Sequence, residues 1–211
     1  MPGCCSMKIV ITAGPTREKI DPVRFISNYS SGKMGYSLAA ASVESGHDVV
    51  LISGPVNLLP PDGVCLVKVT SAAEMAEAVH KYAAFADMVI MTAAVADYRP
   101  ANPFDSKMKK LPGKLVLELE RTEDILGTLG ASKKGGQILV GFAAETDDLE
   151  KNALDKLNRK NLDWIAANLV SDGFGTDTNK ITLYKRSGEK IELPAGEKIT
   201  VARNMLKEIL G

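Results

Sequence analysis

The sequence has little cysteine and little histidine, and neither is arranged as a metal site. The 211 residues include three cysteines (Cys4, Cys5 and Cys65) and two histidines (His47 and His80). No C-x-x-C spacing occurs, so the sequence predicts no metal held by protein side chains alone. Few, irregularly spaced cysteines are typical of reduced thiols, which favours a cytoplasmic location.

An excess of either charge is also absent, as is any long apolar run. Lys plus Arg and Asp plus Glu both number 26, giving a formal net charge of zero. Proteins that hold nucleic acids by charge usually carry a basic excess. No apolar run approaches the roughly 20 residues of a membrane span, and the start of the chain lacks a signal-peptide core. We therefore expect a cytoplasmic protein that binds neither nucleic acid nor membrane.

What the sequence does contain is an alternation of short β-branched runs with helical stretches. This alternation predicts an α/β fold with three layers: a doubly wound, mostly parallel sheet (Rossmann-like) with a C-terminal β-hairpin. Predicted strands cover residues 8–12, 48–53, 65–69, 88–93, 115–119, 138–143 and 164–167, with the hairpin at 180–185 and 189–193. Predicted helices cover residues 34–44, 71–85, 124–129, 149–158 and 198–210. We expect one domain at residues 7–211, preceded by a leader at 1–6 that is disordered or an expression remnant.

Two connections are longer than an α/β unit needs. Residues 14–31 separate the first predicted strand from its helix, and residues 95–113 follow a buried predicted strand. Such connections usually have about 2–6 residues, and longer ones tend to be functional. Ligands in open α/β sheets bind at the carboxyl ends of strands. The two long connections therefore predict a binding site at this edge of the sheet.

The first long connection ends in Ser30, Ser31 and Gly32, at the entry to a predicted helix. Backbone N–H groups and hydroxyls converge there, which favours an anion such as a phosphate. Gly32 and Gly35 allow backbone or ligand to approach closely. The alternative is a pair of N-cap serines followed by a glycine that packs the helix against the sheet. A dinucleotide fingerprint is not present, because G-x-G-x-x-G is missing after the first strand and no acidic residue ends the second.

Four other features stand out, and the first three each have two interpretations. Asp97, after a buried strand, can accept from a ligand or hold a metal-bound water, or it caps a turn. Lys107, in S-K-M-K-K, can neutralise a phosphate or belong to a solvated surface. Phe142 can stack on a base or fill the core. Lys156 and Lys160 lie four residues apart, on one helical face.

Taken together, several motifs resemble the phosphopantothenoylcysteine synthetase family. They are T-A-G-P-T-R-E, D-P-V-R-F-I-S-N-Y-S-S-G-K-M-G, A-A-V-A-D-Y-R, K-M-K-K, G-F-A-A-E-T and R-K-N-L-D. The resemblance covers residues 7–210, and in many bacteria this family forms the C-terminal half of a bifunctional coenzyme A biosynthesis protein. It implies either a stand-alone enzyme or the synthetase domain of such a fusion, with the flavin-dependent decarboxylase as a fused or separate partner.

The resemblance implies a ligase that uses CTP with Mg²⁺ or Mn²⁺ and needs no flavin in this chain. The carboxylate of 4′-phosphopantothenate attacks the α-phosphate of CTP, giving an acyl-cytidylate and pyrophosphate. The amine of L-cysteine then displaces CMP. The motifs S-S-G-K-M-G and A-D-Y-R have the form found in bacterial members of the family, which use CTP, so the resemblance favours CTP over ATP. Family members are homodimers, and the hairpin at residues 180–193 is the predicted contact.

The family motifs also imply roles for individual residues. Asn28 and Lys107 are implied to be catalytic, Asn28 by handling the acyl-cytidylate and Lys107 as a flap lysine that closes on the phosphates. Arg24, Asn28 and Ala94 are implied to bind phosphopantothenate. The implied nucleotide-binding residues, besides Lys107, are Ser30, Ser31, Gly32, Met91, Thr92, Ala93, Asp97, Glu123, Asp124, Ile125, Leu126, Phe142, Lys156 and Lys160.

Two positions depart from the family pattern, and two other functions compete with that of a ligase. Glu123 stands where the family often has proline, and Leu169 follows Asn168 where the family often has aspartate. The first rival, a Rossmann-type NAD(P)-binding oxidoreductase, lacks its fingerprint. The second rival, a non-catalytic nucleotide-binding or dimerisation module, predicts that changes at Asn28 and Lys107 have no effect.

Overall fold

The computed structural model describes residues 6–110, 112–173 and 175–211. Most of the predicted leader, with Cys4 and Cys5, lies outside this part of the chain. The strands are β1 (Lys8–Ala13), β2 (Arg17–Lys19), β3 (Phe25–Ser27), β4 (Asp48–Ser53), β5 (Cys65–Lys68), β6 (Met88–Met91), β7 (Tyr98–Pro100), β8 (Leu119–Arg121), β9 (Ile138–Glu145), β10 (Trp164–Leu169), β11 (Thr178–Asn179), β12 (Thr182–Lys185), β13 (Lys190–Glu192) and β14 (Gly196–Glu197). The helices are α1 (Lys33–Glu44), α2 (Ala72–Ala83), α3 (Ile125–Ala131), α4 (Leu149–Arg159), α5 (Val170–Gly173) and α6 (Lys198–Leu210).

Eight strands form the central sheet, in the order β13-β12-β10-β9-β6-β1-β4-β5. The strands from β10 to β5 are parallel, while β12 and β13 form an antiparallel hairpin at one edge. Every residue of β6 is buried, as expected for a central strand covered on both faces. The predicted fold class is confirmed, including the C-terminal hairpin.

Helices cover the two faces of the sheet in separate groups. One buried cluster joins the sheet to α1 and α6, through residues such as Leu38 and Met205. A second cluster joins the other face to α2, α3 and α4, through residues such as Val79, Leu126 and Leu157. These three layers leave the carboxyl ends of the parallel strands uncovered at one edge of the sheet.

Helix α2 begins at the predicted capping box, but one of the two capping hydrogen bonds is shifted by one residue. The Ser71 hydroxyl accepts from the Glu74 N–H (3.2 Å), which is half of a capping box. The Glu74 carboxylate accepts from the N–H of Thr70 (2.7 Å), one residue before the N-cap. The pairing satisfies two N–H groups at the start of the helix and fixes the chain that enters it.

The predicted strand at residues 115–119 is wrong. The strand in this region is β8, and it pairs with β7 from Tyr98 opposite Arg121 to Pro100 opposite Leu119. Leu115 and Val116, which suggested a strand, are 62% and 87% exposed. A run of apolar residues predicts a buried strand only if a neighbouring surface covers it, and no described residue covers this run.

The two long connections are partly ordered into small antiparallel sheets. Residues 14–31 contain the hairpin β2–β3, and residues 95–113 contain β7. The turn between β2 and β3 is fixed by the buried carboxylate of Asp21, which accepts from the N–H groups of Val23 and Arg24 (2.8 Å each). The sequence predicts neither these sheets nor the short elements α5, β11 and β14, because elements of two to four residues have too short a pattern to recognise.

Candidate functional site

A cavity of about 620 Å³ opens at the carboxyl ends of the parallel strands. It lies between the start of α1, the ends of β6, β9 and β10, and the starts of α3 and α6. Of the residues implied by the resemblance, those that line it are Ser30, Ser31, Gly32, Met91, Thr92, Ala93, Ala94, Asp97, Glu123, Asp124, Ile125, Leu126, Phe142, Lys156 and Lys160. Arg24, Asn28 and Lys107 are not part of the lining.

Helix α1 begins at this cavity without a side-chain cap. Its N-cap is Gly32, in the left-handed region (φ 75°), which disfavours residues with a Cβ. The hydroxyl of Ser30 accepts from the Gly32 N–H (3.3 Å), and that of Ser31 accepts from the Lys33 N–H (3.5 Å). The serines therefore do not act as N-caps of the usual kind. The first turn of α1 meets the cavity at Lys33, Met34 and Gly35, where its N–H groups can bind an anion.

Close packing holds the start of α1 against the ends of β1 and β6. A Cβ on Gly35 would lie 2.5 Å from the Cβ of Ala13 and 2.7 Å from the hydroxyl of Thr92. The Thr92 hydroxyl donates to the carbonyl of Thr12, whose own hydroxyl accepts from the Ala93 N–H (3.1 Å). The glycine that packs the helix against the sheet, in the alternative interpretation of this segment, is therefore Gly35. The hydrogen bonds of Thr12 with Thr92 and Ala93 hold the adjacent backbone in place along the cavity wall.

Asn28 lies at the border of the cavity. Its side-chain amide donates to the carbonyls of Ala94 (3.3 Å) and Val95 (3.0 Å), both of which line the cavity. The side chain is exposed. The hydrogen bonds therefore tie the second half of the α1 entry loop to the end of β6, with the amide beside the lined space.

Arg24 is held outside the cavity by a buried carboxylate. The Asp21 side chain has no exposed surface and accepts from Arg24 Nε (2.9 Å) and from the N–H of Met108 (3.2 Å). Arg24 Nη2 donates to the carbonyl of Met108 (3.1 Å). The hydrogen bond from Arg24 and those from backbone N–H groups outweigh burial and hold the pKa of Asp21 well below its usual range.

Lys107 is exposed, on the loop between β7 and β8, directly before the Met108 peptide that Asp21 and Arg24 hold. A contact between Lys107 and a phosphate in the cavity therefore requires this loop to move.

The wall formed by α3 and α4 combines cations with an acidic N-cap. Lys156 Nζ donates to the Phe142 carbonyl (2.6 Å), and burial, then the nearby charge of Lys160, lowers the pKa of Lys156. Lys160 follows the last residue of α4 and donates to Asp124 Oδ1 (2.8 Å). Asp124 caps α3 by accepting from the Gly127 N–H (3.0 Å). Burial opposes ionisation of Asp124, but the hydrogen bonds from Lys160 and Gly127 outweigh it and lower its pKa.

Phe142 has features of both of its interpretations. Its half-buried ring packs against the hydrophobic cluster beneath α1 and α6, yet the residue also lines the cavity. Glu123, at the position where the family pattern has proline, bonds His80 on α2 (2.6 Å) and so connects the cavity wall to the helix behind it.

Several other residues line the cavity without a role implied by the sequence. Six of them have basic or amide side chains: Lys33, Arg121, Arg159, Asn168, Asn179 and Lys198. Lys33 stands inside the S-S-G-K-M-G motif, so the motif itself was the available signal. Asn168 follows the buried part of β10, a position at the strand end that could also have indicated it. Lys198 lies far along the chain and gave no such signal.

The acidic residues of the site do not form a metal centre by themselves. No group of three or more His, Cys, Asp or Glu side chains in residues 6–110, 112–173 and 175–211 is arranged to hold a metal ion. Within the same ranges, no helix combines the length and the apolar character needed to cross a membrane. Asp97 is exposed and lines the cavity, and its carboxylate makes no hydrogen bond or ion pair with another described residue.

Known proteins resemble the chain over almost its whole length. The coenzyme A biosynthesis bifunctional protein CoaBC of Bacillus subtilis (strain 168) is 56% identical over 205 residues, 95% of this chain and 50% of that protein. A cysteine/cysteine sulfinic acid decarboxylase from an unknown prokaryotic organism is 47% identical over 207 residues, 96% of this chain and 58% of that protein. The chain spans about half the length of the curated relatives it matches.

A solved structure is also similar to this chain. The crystal structure of the C-terminal domain of coenzyme A biosynthesis bifunctional protein CoaBC matches with a TM-score of 0.84 and 50% identity, over 97% of this chain and 94% of that chain. The family model described as the DNA/pantothenate metabolism flavoprotein C-terminal domain matches residues 5–211. The chain belongs to this family.

Proposed function

We propose that the protein is a CTP-dependent phosphopantothenate–cysteine ligase of coenzyme A biosynthesis. The observation that carries the proposal is the cavity at the carboxyl ends of the strands, where an uncapped helix start and six basic side chains meet. Such a cavity suits a nucleoside triphosphate and a second anionic substrate. The motifs that form it are those of the synthetase family, and relatives over this length carry names from coenzyme A biosynthesis.

In the first step, a carboxylate oxygen of 4′-phosphopantothenate attacks the α-phosphorus of CTP. The bond to the β-phosphate breaks, pyrophosphate leaves, and an acyl-cytidylate forms. The negative charge in this step is placed against the first turn of α1, beside Ser30 and Ser31. The N–H groups of that turn are already oriented, so they stabilise charge without reorganisation.

In the second step, the amine of L-cysteine attacks the activated carbonyl carbon. The bond from this carbon to the CMP oxygen breaks, the amine loses its proton, and the amide forms. Asn28, whose amide group bonds the carbonyls of Ala94 and Val95, stands next to the wall where the acyl group would lie. The mixed anhydride makes this step possible, because CMP is a far better leaving group than hydroxide.

The nucleotide would lie against α3 and α4, with Phe142 beside the base and Lys156 and Lys160 at its polar groups. Asp97 would hold the Mg²⁺ or Mn²⁺ that accompanies CTP, since Mg²⁺ is commonly bound by one or two carboxylates together with substrate phosphates. The ion would screen the phosphate charges. The backbone at Met91, Thr92 and Ala93 would face the nucleotide.

Lys107 and Arg24 complete the proposal from outside the lining. Lys107 would reach the phosphates when its loop closes, and Arg24 and Ala94 would contact phosphopantothenate. Arg24 is bonded to the loop of Lys107 through the Met108 carbonyl, so substrate binding at Arg24 and closure of the loop would be coupled.

The test is a pyrophosphate-release assay with each nucleoside triphosphate in turn, with and without cysteine. We expect release with CTP, Mg²⁺ and phosphopantothenate before cysteine is added. Lys107→Gln should abolish release, and Asn28→Asp should impair amide formation and let the acyl-cytidylate accumulate. Lys114→Gln, an exposed lysine beyond the K-M-K-K run, is the matched control. If wild-type protein releases no pyrophosphate, the ligase assignment is wrong.

The same assay separates the ligase from its rivals. A non-catalytic module predicts that the Asn28 and Lys107 variants behave like wild type. An NAD(P)-binding oxidoreductase predicts cofactor binding without pyrophosphate. A decarboxylase, suggested by the name of one relative, predicts carbon dioxide release. The cationic lining favours the ligase over the decarboxylase, because it suits the phosphates of CTP and phosphopantothenate.

We further propose that the ligase works as a cytoplasmic homodimer, with residues 7–211 as one synthetase domain and no flavin of its own. A flavin-dependent decarboxylase, fused or separate, would supply the next step, removal of the cysteine carboxyl group from the ligase product. The full length of the relatives, about twice that of this chain, is consistent with such a partner.

A further inference from the structure

A second group of basic side chains lies at the opposite side of the cavity from α3 and α4. Lys33 is the first residue of α1, and Lys198 is the first residue of α6. Both line the cavity. Because α1 and α6 cover one face of the sheet, and α3 and α4 the other, these lysines are separated from Lys156 and Lys160 by the edge of the sheet.

Lys198 is an unusual lysine because it is only 6% exposed. Its ammonium donates to the carbonyls of Gly173 (2.8 Å) and Thr176. An ammonium group has three donors, so these two carbonyls leave one for another acceptor. Burial, followed by the charge of Lys33, lowers the pKa of Lys198. A buried cation without a carboxylate bonded to it is costly, which suits a group that binds an anion for part of its working cycle.

Lys33 is held by an acidic residue that is itself in solvent. Its ammonium forms an ion pair with Asp177, whose side chain is 80% exposed. The Asp177 carbonyl accepts from the N–H of Lys198 (3.0 Å), so the same residue contacts the starts of both helices. One carboxylate faces two ammonium groups, and the cluster keeps a net positive charge.

The remaining wall of this cluster is small and neutral. Asn168 and Asn179 are buried and line the cavity, and a Cβ on Gly173 would lie 2.6 Å from the Asn168 amide nitrogen and 2.7 Å from the Asn179 amide oxygen. The packing leaves no space for a larger side chain at residue 173. The lysines therefore face the cavity beside a closely packed wall that adds no acidic group to compete with a bound anion.

We propose that Lys33 and Lys198 form a phosphate subsite, and that Asp177 is a resident counter-ion which a bound phosphate displaces. A phosphate carries more charge than the carboxylate and can accept from both lysines and from the first turn of α1. The choice of ligand rests on the proposed function, whose two substrates both carry phosphate: the triphosphate of CTP and the 4′-phosphate of phosphopantothenate. The binding itself is measurable without catalysis.

The experiment is calorimetric titration of the full chain with inorganic pyrophosphate and, separately, with 4′-phosphopantothenate. Lys33→Met should weaken binding of at least one of them by about fivefold, since it removes a partly exposed cation. Asp177→Asn should tighten the same binding by about two- to fivefold, because the competing carboxylate is gone. Lys207→Met, exposed at the other end of α6, and Asp62→Asn, an exposed loop residue, are the charge-matched controls.

The pattern of changes identifies the source of the phosphate. An effect on pyrophosphate alone assigns the subsite to CTP, and an effect on phosphopantothenate alone assigns it to the second substrate. If Lys33→Met and Asp177→Asn both match their controls, or wild-type protein binds neither probe, the subsite does not exist. Asp177 is exposed and Lys33 is partly exposed, so their variants should fold even if Lys198→Met does not. Pyrophosphate release from CTP tests the ligase separately, and its failure would leave these binding results interpretable.

Discussion

At the scale of single residues, Lys156 shows the cost of placing a charge in a binding wall. Burial lowers its pKa, and its one hydrogen-bond acceptor among the described residues is the carbonyl of Phe142. Because the charged form is disfavoured in the folded protein, the ammonium contributes less stability than a solvated lysine. Its position is understandable if a ligand supplies the missing negative charge.

Replacing this lysine should therefore separate stability from binding. In Lys156→Met we expect the affinity for CTP to fall about tenfold, as for loss of one hydrogen bond from a charged group, while the free energy of unfolding is not reduced. Calorimetric titration and urea unfolding measure the two quantities. Lys151→Met, exposed on the same helix, should change neither. A variant that binds CTP like wild type would remove Lys156 from the nucleotide site.

The lowered pKa of Asp21 predicts how the stability of the fold depends on pH. Its pKa is lowered in the folded protein, chiefly by Arg24. A carboxyl group with a depressed pKa stabilises the fold fully above its unfolded pKa of about 3.9, and this contribution is lost as the pH falls toward the folded value. Unfolding measured from pH 6 to pH 2 should therefore show a loss of stability below about pH 4, and Asp21→Asn should show a smaller loss. Equal slopes for the two proteins would contradict the assignment.

At the scale of elements, the position of α1 depends on one close contact with the sheet. Gly35 allows the first turn of the helix to touch the ends of β1 and β6, which brings its N–H groups to the cavity. A larger residue must move either the helix or the strand ends. Packing and site geometry are thus determined by the same residue.

Gly35→Ala tests this coupling. The added Cβ, 2.5 Å from that of Ala13, should reduce the free energy of unfolding by about 1–3 kcal/mol, as for other overpacked contacts, and should weaken CTP binding. Chemical denaturation and titration measure the effects. Gly135→Ala, at a position with nothing within 4 Å of the new Cβ, is the control and should be close to wild type. If Gly35→Ala binds CTP normally, the contact is structural only.

At the scale of the whole molecule, the exposed apolar side chains favour a different dimer contact from the one predicted. Several lie on or beside two small sheets, the one formed by β2 and β3 and the one formed by β7 and β8. They are Val23, Phe25, Phe104, Leu115, Val116 and Leu119. These sheets contact each other through β2 and β7. In contrast, the edge strand β13 of the predicted hairpin carries Lys190 and Glu192, and charges on an edge strand usually prevent pairing with another chain.

We therefore expect the homodimer to form through the small sheets. Phe25→Asp together with Val116→Asp should convert a dimer to a monomer in sedimentation velocity, because two charges enter an apolar contact. Leu59→Asp, a change at an exposed apolar residue that belongs to neither sheet, should leave the dimer intact. If the double variant stays dimeric, the C-terminal hairpin remains the candidate. A monomeric wild-type protein would exclude both.

The sequence by itself determined the layers and the edge of the sheet where the site lies. Strands such as Asp48–Ser53 and Met88–Met91, and the helix Lys198–Leu210, were predicted within a few residues, since burial imposes a periodicity that a single sequence displays. The S-S-G-K-M-G motif indicated the helix start for the same local reason. These features depend on neighbours along the chain.

Only the tertiary structure decided which distant residues share the cavity. Lys198 lies near Lys33 because α6 packs beside α1. Met108 is held by Asp21 because the Asp21 side chain reaches it from the turn between β2 and β3. The exposure of Leu115 and Val116 was equally invisible, since an apolar run is the same sequence whether or not a surface covers it. Contacts between residues far apart in sequence depend on packing between layers, and that information is not local.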